Sequence, residues 1–211
     1  LVTGEATRRA CEKLAAALEG HTLPDLVGQE FYGEYLAKTD KLGADVPHPV
    51  SHVAYGYATQ VCILDRKTAR VEKMIAAHDV GRAINPRIIE GQMQGSVSMG
   101  QGYALTEGHP TKNGYPVKKL YGQMGLPKAE NTPRYKLILI EDPEPIGPYG
   151  AKGVSEVATV PITPAILNAV SRAVGVRINK VPASPEVILE AIRTGKCDVP
   201  TMAEQVAALA K

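Results

Sequence analysis

The chain has 211 residues, of which 44% are hydrophobic, and its formal net charge is +2. A chain of this length buries roughly 70% of its unfolded surface, and its apolar fraction argues against intrinsic disorder. The near-neutral charge and the absence of tryptophan argue against nucleic-acid binding, and no apolar run predicts a membrane span or a signal peptide.

Three widely separated cysteines, Cys11, Cys62 and Cys197, form no Cys-x-x-Cys pair and no Cys/His cluster with the spacing of metal ligands. An odd and sparse set of cysteines is typical of a reducing compartment. Cys62 lies in an apolar stretch and is predicted to be a buried thiol. We therefore expect a cytoplasmic protein that has no metal ligands of its own and no contact with a membrane.

Hydrophobic periodicity and turn residues predict a chain that mixes hairpins with helices. Thr163 and Ser184, each followed by proline, are predicted N-caps, and Gly20, Gly175 and Gly195 are predicted to end helices. The predicted elements, in chain order, are helix 2–18, an irregular arm 22–49, strands 52–64 and 69–78, helix 88–106, a long loop 108–133, a buried strand 134–141, helix 164–174, strand 177–180, and helices 185–193 and 202–209. Because strands and helices do not alternate regularly, we predict the α+β class.

The first candidate site lies in the predicted helix 88–106. Gly91, Gly95, Gly100 and Gly102 fall inside it, although each interior glycine costs about 0.5–1 kcal/mol relative to alanine. Either the glycines allow tight packing of the helix on a sheet and Gln92 is an ordinary polar residue, or they let a large rigid ligand lie against the helix while Gln92 offers an amide donor and acceptor. The residues alone favour tight packing, because isolated helix glycines usually have a packing reason.

The second candidate site is the glycine-rich segment 147–156. Gly150 and Gly153 are predicted to take positive φ, so that successive N–H groups converge on an anion. Glu156 follows directly and is a candidate general base. A surface turn with a solvated glutamate is the equally supported alternative. The third candidate is the pair His78-Asp79. We predict that the two side chains have hydrogen-bond partners at the end of a strand and do not form a proton relay.

Three ordered patterns distinguish the chain. They are Asp-x-Gly, Asn-Pro and Gly-Gln-x-x-Gly within 79–95, Gly-Ala-Lys-Gly-Val-Ser-Glu at 150–156, and Val-Pro-Ala-Ser-Pro-Glu at 181–186. In order and spacing they resemble the C-terminal part of the molybdenum-binding large subunit of the xanthine dehydrogenase / aldehyde oxidase (molybdenum hydroxylase) family. The segments 39–41 and 49–58 resemble its bacterial xanthine-dehydrogenase-like branch. The resemblance implies a single α+β domain or fragment of a larger subunit, with a helix and extended arm at 1–45 and a molybdopterin-binding region at 46–211.

The resemblance also implies an activity. Such enzymes hydroxylate an aromatic heterocycle, such as a purine, with oxygen from water, and pass electrons to 2Fe-2S and FAD partners on other subunits or domains. The metal is held by a molybdenum-pterin cofactor (molybdopterin, with the cytosine dinucleotide as one form) and has no protein ligand. The catalytic residue implied is Glu156, which deprotonates a molybdenum-bound hydroxyl, and the implied cofactor contacts are Gly91, Gln92, Gly95, Lys152, Gly153, Val154 and Ser155.

Two alternatives stay open. The same family also contains enzymes for aldehydes or nicotinate, and a non-catalytic scaffold could keep the fold without the cofactor. The chain departs from the family pattern at three positions: Ser155 replaces the usual glycine, Ser96 stands where a second glycine is common, and Gln94 where glutamate is common. If Ser155 took positive φ, the strain would cost about 1 kcal/mol or more.

Overall fold

The computed structural model describes residues 1–51, 54–145 and 147–197. The chain forms two compact units. The first contains Leu1–Tyr57, His78–Pro86 and Leu139–Val154, and the second contains Ala58–Ala77, Arg87–Ile138 and Ser155–Lys211. The predicted helix 202–209 lies outside the described residues.

Helices and strands both contribute to the fold, in agreement with the predicted α+β class. The helices are α1 (Val2–Ala17), α2 (Pro86–Leu105), α3 (Ser155–Thr159), α4 (Ile162–Val174) and α5 (Pro185–Thr194). The strands are β1 (Ala58–Leu64), β2 (Val71–Asp79), β3 (Thr111–Lys112), β4 (Tyr115–Pro116) and β5 (Arg134–Ile140). Short 3-10 turns occupy Leu23–Leu26, Tyr121–Gln123, Ala129–Asn131 and Pro148–Gly150.

The first unit is built on α1 and the arm that follows it. Glu5 is buried in the first turn of α1. Hydrogen bonds from the guanidinium groups of Arg8 and Arg9 lower the pKa of its carboxyl to about 2. The arm passes so close to the helix that a Cβ at Gly33 would lie 2.1 Å from the carbonyl oxygen of Ala6. The arm has no other regular element than its 3-10 turn, as predicted.

A three-stranded sheet in the order β1-β2-β5 supports the second unit. Six residues join β1 to β2, which is too short for a parallel crossover, so these two strands are antiparallel. The helix α4 packs against β1 and buries Ile162, Ile166 and Val170. By length and composition alone the stretch Ser155–Val174 could cross a membrane, but here it is divided into α3 and α4, and these apolar residues of α4 are in the core.

Four predictions about the elements are wrong. The strand predicted to begin at residue 52 begins at Ala58 instead. Residues 52 and 53 lie outside the residues that the structure describes. Residues 177–180 form no strand. Helix α1 ends at Ala17 with Leu18 as its C-cap, so Gly20 does not cap it. The loop 108–133 contains the β3-β4 hairpin, in which Thr111 pairs with Pro116.

Caps and burial also differ from expectation in part. Ser184 accepts a hydrogen bond from the Val187 N–H, and Gly195 has a φ of 68°, both as predicted. The start of α4 is not capped by Thr163, whose hydroxyl donates instead to the carbonyl oxygen of Gly100 (3.2 Å). Strand β5 is half-buried on one face and exposed on the other, and Cys62 in β1 is half-buried rather than fully buried.

Candidate functional site

A groove of about 640 Å³ lies in the second unit, between α2 and α3. It combines apolar and polar side chains, which is the usual composition of a small-molecule site. Its lining residues are Ile88, Gly91, Gln92, Gly95, Ser96, Met99, Ser155, Glu156 and Thr159. The α2 members recur every three or four residues, so they form one face of that helix.

The helix glycines serve two different purposes. A Cβ at Gly100 would lie 2.6 Å from the Cβ of Ile162, so this glycine allows close packing of α2 on α4. At Gly91 and Gly95 no atom lies within 4 Å of such a Cβ. Close packing is therefore found at Gly100, although its partner is the helix α4 rather than the predicted sheet, whereas Gly91 and Gly95 leave space open along the groove.

Ser155 connects the two halves of the groove. Its hydroxyl donates to Oε1 of Gln92 (2.9 Å), and its carbonyl oxygen accepts a hydrogen bond from the hydroxyl of Ser96 (3.1 Å). Both serines stand where the family pattern favours glycine. Ser155 is the first residue of α3 and does not have a positive φ, so the strain considered for it is absent.

Glu156 is the second residue of α3 and is exposed in the groove. Ile88 and Met99, 62% and 53% exposed, provide apolar surface in the same groove. A carboxylate beside an apolar wall can accept a proton from a reacting group held there. The groove thus contains Glu156 and four of the predicted cofactor contacts, namely Gly91, Gln92, Gly95 and Ser155.

The remaining predicted contacts, Lys152, Gly153 and Val154, belong to the first unit and are not among the residues that line this groove. Gly150 has the predicted positive φ (83°), but Gly153 does not, and Tyr149 takes a φ of 54° instead.

Two of the N–H groups from which an anion site was predicted donate to backbone oxygens instead. The N–H of Gly150 donates to the carbonyl oxygen of Gly147 (3.1 Å), and the N–H of Lys152 donates to that of Val80 (3.2 Å). The first of these hydrogen bonds lies within the loop, and the second joins the loop to the segment after β2.

Two motifs of the sequence meet in the first unit, at Lys152 and Asp79. The ammonium of Lys152 lies 2.6 Å from Oδ2 of Asp79, and both side chains are nearly buried, at 6% and 5% exposure. The hydrogen bond to Asp79 raises the pKa of Lys152. Asp142 adds a weaker contact with the ammonium at 3.3 Å.

Asp79 also organises the backbone around it. Its Oδ1 accepts the N–H of Gly81 (3.0 Å), and Gly81 forms a β-bridge with Ala151. Asp79 is thus satisfied by Lys152 and Gly81, which agrees with a structural strand end. Burial lowers the pKa of the neighbouring His78, which is fully buried.

Sequence reasoning missed several site residues. It did not name Ile88, Met99 or Thr159 as groove residues, although the spacing of Ile88 and Met99 relative to Gln92 could have indicated a shared helix face. It noted Ser96 only as a departure from the family pattern. Nothing in the local sequence indicated the Asp79–Lys152 pair, because 73 residues separate the two. Among the described residues no three His, Cys, Asp or Glu side chains cluster as metal ligands.

The fold is α+β, and its glycine-containing helix α2 borders an open groove with polar and apolar side chains. Such a groove is typical of a domain that binds a ligand or a cofactor. Residues 16–133 match the family model described as "Molybdopterin cofactor-binding domain". Because the match covers more than half of the chain, the protein belongs to the molybdopterin cofactor-binding domain family. The predicted resemblance to part of a molybdenum hydroxylase large subunit is confirmed.

Similar proteins carry oxidoreductase names. The chain is 37% identical to a probable xanthine dehydrogenase subunit of Bacillus subtilis, over 69% of this chain and 20% of that protein. It is 30% identical to "Aldehyde oxidoreductase" of Megalodesulfovibrio gigas, over 92% of this chain and 23% of that protein. The solved aldehyde oxidoreductase from Desulfovibrio gigas superposes with a TM-score of 0.74 at 30% identity, over 90% of this chain and 22% of that one. The chain therefore spans about a fifth of the length of these relatives.

Proposed function

We propose that this chain forms one wall of the active site of a molybdenum hydroxylase that hydroxylates an aromatic heterocycle, such as a purine, with oxygen derived from water. Within it, residues 46–211 form the molybdopterin-binding region. The observation that carries the proposal is the groove between α2 and α3, which places Glu156 beside Gln92 and the two open glycines, Gly91 and Gly95.

The groove residues fit a bulky, rigid and polar cofactor. The backbone is open at Gly91 and Gly95, so a planar ligand can approach it closely. Gln92 has its Oε1 bound to the Ser155 hydroxyl, which leaves its Nε2 as the donor that it offers to a ligand. These residues and Ser155 would hold the cofactor in the groove, and when bound it supplies two-electron redox chemistry at molybdenum.

The loop residues of the first unit complete the proposed set. Gly153 and Val154 are proposed to contact the cofactor through backbone groups. The N–H of Lys152 already donates to Val80, and its side chain is paired with Asp79, so Lys152 is proposed to act by holding the loop.

Glu156 is the proposed general base. Its carboxylate would take up the proton of the water-derived hydroxyl that attacks the electron-poor carbon of the substrate. Ile88 and Met99 offer exposed apolar surface in the same groove, and a bound cofactor or substrate that covers this surface would displace water from beside the carboxylate.

The proposed partners, compartment and cofactor form follow from the proposed family activity. The rest of a large subunit would supply the other walls of the site, and iron–sulfur and FAD subunits or domains would carry the electrons away. The cytoplasm is the proposed compartment, and the cofactor is proposed to be molybdopterin, either as such or as its cytosine dinucleotide.

An aldehyde is the second candidate substrate. It is favoured by one observation: the aldehyde oxidoreductase of Megalodesulfovibrio gigas aligns with 92% of this chain, more than the xanthine dehydrogenase relative does. Purines, nicotinate and aldehydes therefore belong in the same substrate panel.

The deciding experiment is the molybdenum content of the complete polypeptide that carries this chain, purified from a host that makes the cofactor. We expect a molybdenum-to-protein ratio near one by elemental mass spectrometry, together with turnover of a member of the panel. Release of the nucleotide by acid hydrolysis then identifies the cofactor form. A ratio near zero from such a host would support the non-catalytic scaffold instead.

A further inference from the structure

The short helix α3, which carries Glu156, is held near both of its ends by side chains of neighbouring elements. Ser155 is its first residue, and the carbonyl oxygen of Ser155 accepts a hydrogen bond from the hydroxyl of Ser96 on α2 (3.1 Å). Near the other end, the carbonyl oxygen of Ala158 accepts a hydrogen bond from Nε2 of Gln60 on β1 (3.0 Å). All of these residues belong to the second unit, so the contacts lie within one compact body.

Glu156 lies between these two held points. An α-helix rises about 1.5 Å per residue, so Ser155 and Ala158 lie within one turn of each other and the Cα atom of Glu156 lies between them. The Glu156 side chain is exposed in the groove. The place of its carboxylate therefore depends on the backbone of α3 and on the rotation of the side chain itself.

The two anchoring hydrogen bonds are shielded from water to a large extent. Ser96 is 7% exposed, Ala158 is fully buried, and Gln60 is half-buried in β1. Hydrogen bonds in such surroundings are stronger than exposed ones, because water competes less for the donor and acceptor. The hydroxyl of Thr159 also donates to the carbonyl oxygen of Ser155 (3.3 Å), but it belongs to α3 and does not fasten that helix to another element.

We propose that Gln60 and Ser96 are positioning residues that hold α3 from both ends and thereby set the place of Glu156 in the groove. The inference rests on the proposed role of Glu156 as the base. Gln60 is the more informative of the two, because it does not line the groove and is 98 residues away from Ala158 in the chain. Its effect on the reaction passes through α3.

Two substitutions remove one anchor each. In Gln60→Met the new side chain has a similar length and volume but no N–H to donate, so packing is kept and the hydrogen bond is lost. Ser96→Ala removes the other donor, and alanine suits the interior of a helix. Thr59→Val is the matched control, because Thr59 is the exposed neighbour of Gln60 on β1 and faces the opposite side of the sheet.

The first readout is made on the complete enzyme without its cofactor. In Q60M and S96A, hydrogen–deuterium exchange of the peptide that contains α3 should become about threefold to tenfold faster, since a hydrogen bond that holds the helix is lost. Exchange in T59V should match that of the parent. This measurement shows whether α3 is released, independently of any activity.

The second readout is made on the complete enzyme with molybdenum bound. The single-turnover rate with substrate, per bound molybdenum, should fall about tenfold to a hundredfold in both variants, because a small misplacement of a catalytic group has effects of this size. KM should change less than about threefold, since binding depends less on the place of the base than the reaction does. T59V should behave like the parent enzyme.

A Q60M enzyme that folds, retains molybdenum and reacts at the parental rate would overturn the positioning role, even if its melting temperature were lower. A reduced rate with unchanged exchange of α3 would also overturn it, because the effect would not pass through that helix. If Q60M does not fold, S96A decides by the same two criteria. E156Q separates the two proposals: if it is inactive while Q60M reacts at the parental rate, only the positioning role is lost, and if E156Q reacts like the parent, the general-base assignment itself is wrong.

Discussion

The hydroxyl of Ser155 donates a hydrogen bond to Oε1 of Gln92 across 2.9 Å, and this contact joins the two sequence motifs that are 63 residues apart. Ser96 adds a second link, because its hydroxyl donates to the carbonyl oxygen of Ser155. Two residues that differ from the family's glycines thus meet beside the same groove. The two hydrogen bonds tie the start of α3 to the glycine-containing helix α2.

Replacing Ser155 by the family's usual glycine is expected to destabilise the protein. Ser155 begins a helix and has no positive φ, so glycine relieves no strain there. The change removes the hydrogen bond to Gln92, and we expect a loss of roughly 0.5–1.5 kcal/mol in the free energy of unfolding. Chemical denaturation of S155G and S155A measures it. A more stable S155G would mean that the serine is strained after all.

Gln92→Ala is expected to weaken cofactor retention. The substitution removes the amide from the groove and leaves the backbone of α2 unchanged, since alanine is a good helix former. We expect a lower molybdenum-to-protein ratio after gel filtration of the complete enzyme. Gln94→Ala is the matched control, because Gln94 lies on the same helix and does not line the groove. Equal ratios in the two variants would make Gln92 a packing residue only.

Two glycines of α2 should respond to alanine with opposite signs. At Gly95 a new Cβ meets no atom within 4 Å, so alanine should stabilise the helix by about 0.5–1 kcal/mol. At Gly100 it would lie 2.6 Å from the Cβ of Ile162, and overpacking of this kind typically costs about 1–3 kcal/mol. Denaturant midpoints of G95A and G100A check both signs in one series. Destabilisation by G95A would show that the groove is filled by the protein itself.

Much of this architecture could be predicted from local sequence, and the site only in part. Periodicity and caps located α2 and α5, because a helix of ten residues or more is recognisable from its spacing and from residues such as Ser184 and Gly195. The start of β1 could not be placed, since residues with high strand propensity, such as Tyr55 and Tyr57, continue upstream of Ala58, where the strand begins.

The site depends on contacts between residues far apart in the chain. Gly91 and Gly100 are both interior glycines of α2 and look alike in the sequence. They differ because Ile162 of α4 packs against Gly100, whereas none of the described residues packs against Gly91. The N–H groups of the loop were expected to bind an anion, but those of Gly150 and Lys152 donate to the backbone oxygens of Gly147 and Val80, which local sequence does not reveal. For the same reason the Asp79–Lys152 pair was not predicted.

Cys62 should resist alkylation in the folded protein. Burial raises the pKa of its thiol to about 11, so the reactive thiolate is scarce at pH 8, whereas Cys11 is exposed. We expect iodoacetamide to modify Cys11 first and Cys62 only at higher pH or after unfolding, as read by peptide mass spectrometry. Because the folded protein keeps a proton that the unfolded chain loses above about pH 9, this thiol also lowers stability as the pH rises from about 9 to 11. Rapid labelling of Cys62 at pH 8 would contradict its burial.

Glu156→Gln should abolish turnover and leave molybdenum in place. The amide has nearly the same shape as the carboxylate and lines the groove equally well, but it cannot accept the proton. We expect kcat to fall at least about a hundredfold, which is the typical lower size of a general-base contribution. Glu90→Gln is the control, because Glu90 is an exposed glutamate of α2 that does not line the groove. The measurement is steady-state turnover per bound molybdenum, which separates lost chemistry from lost cofactor. If E156Q turned over at the rate of E90Q, the proton would have another acceptor, and Glu156 would be a solvated loop carboxylate.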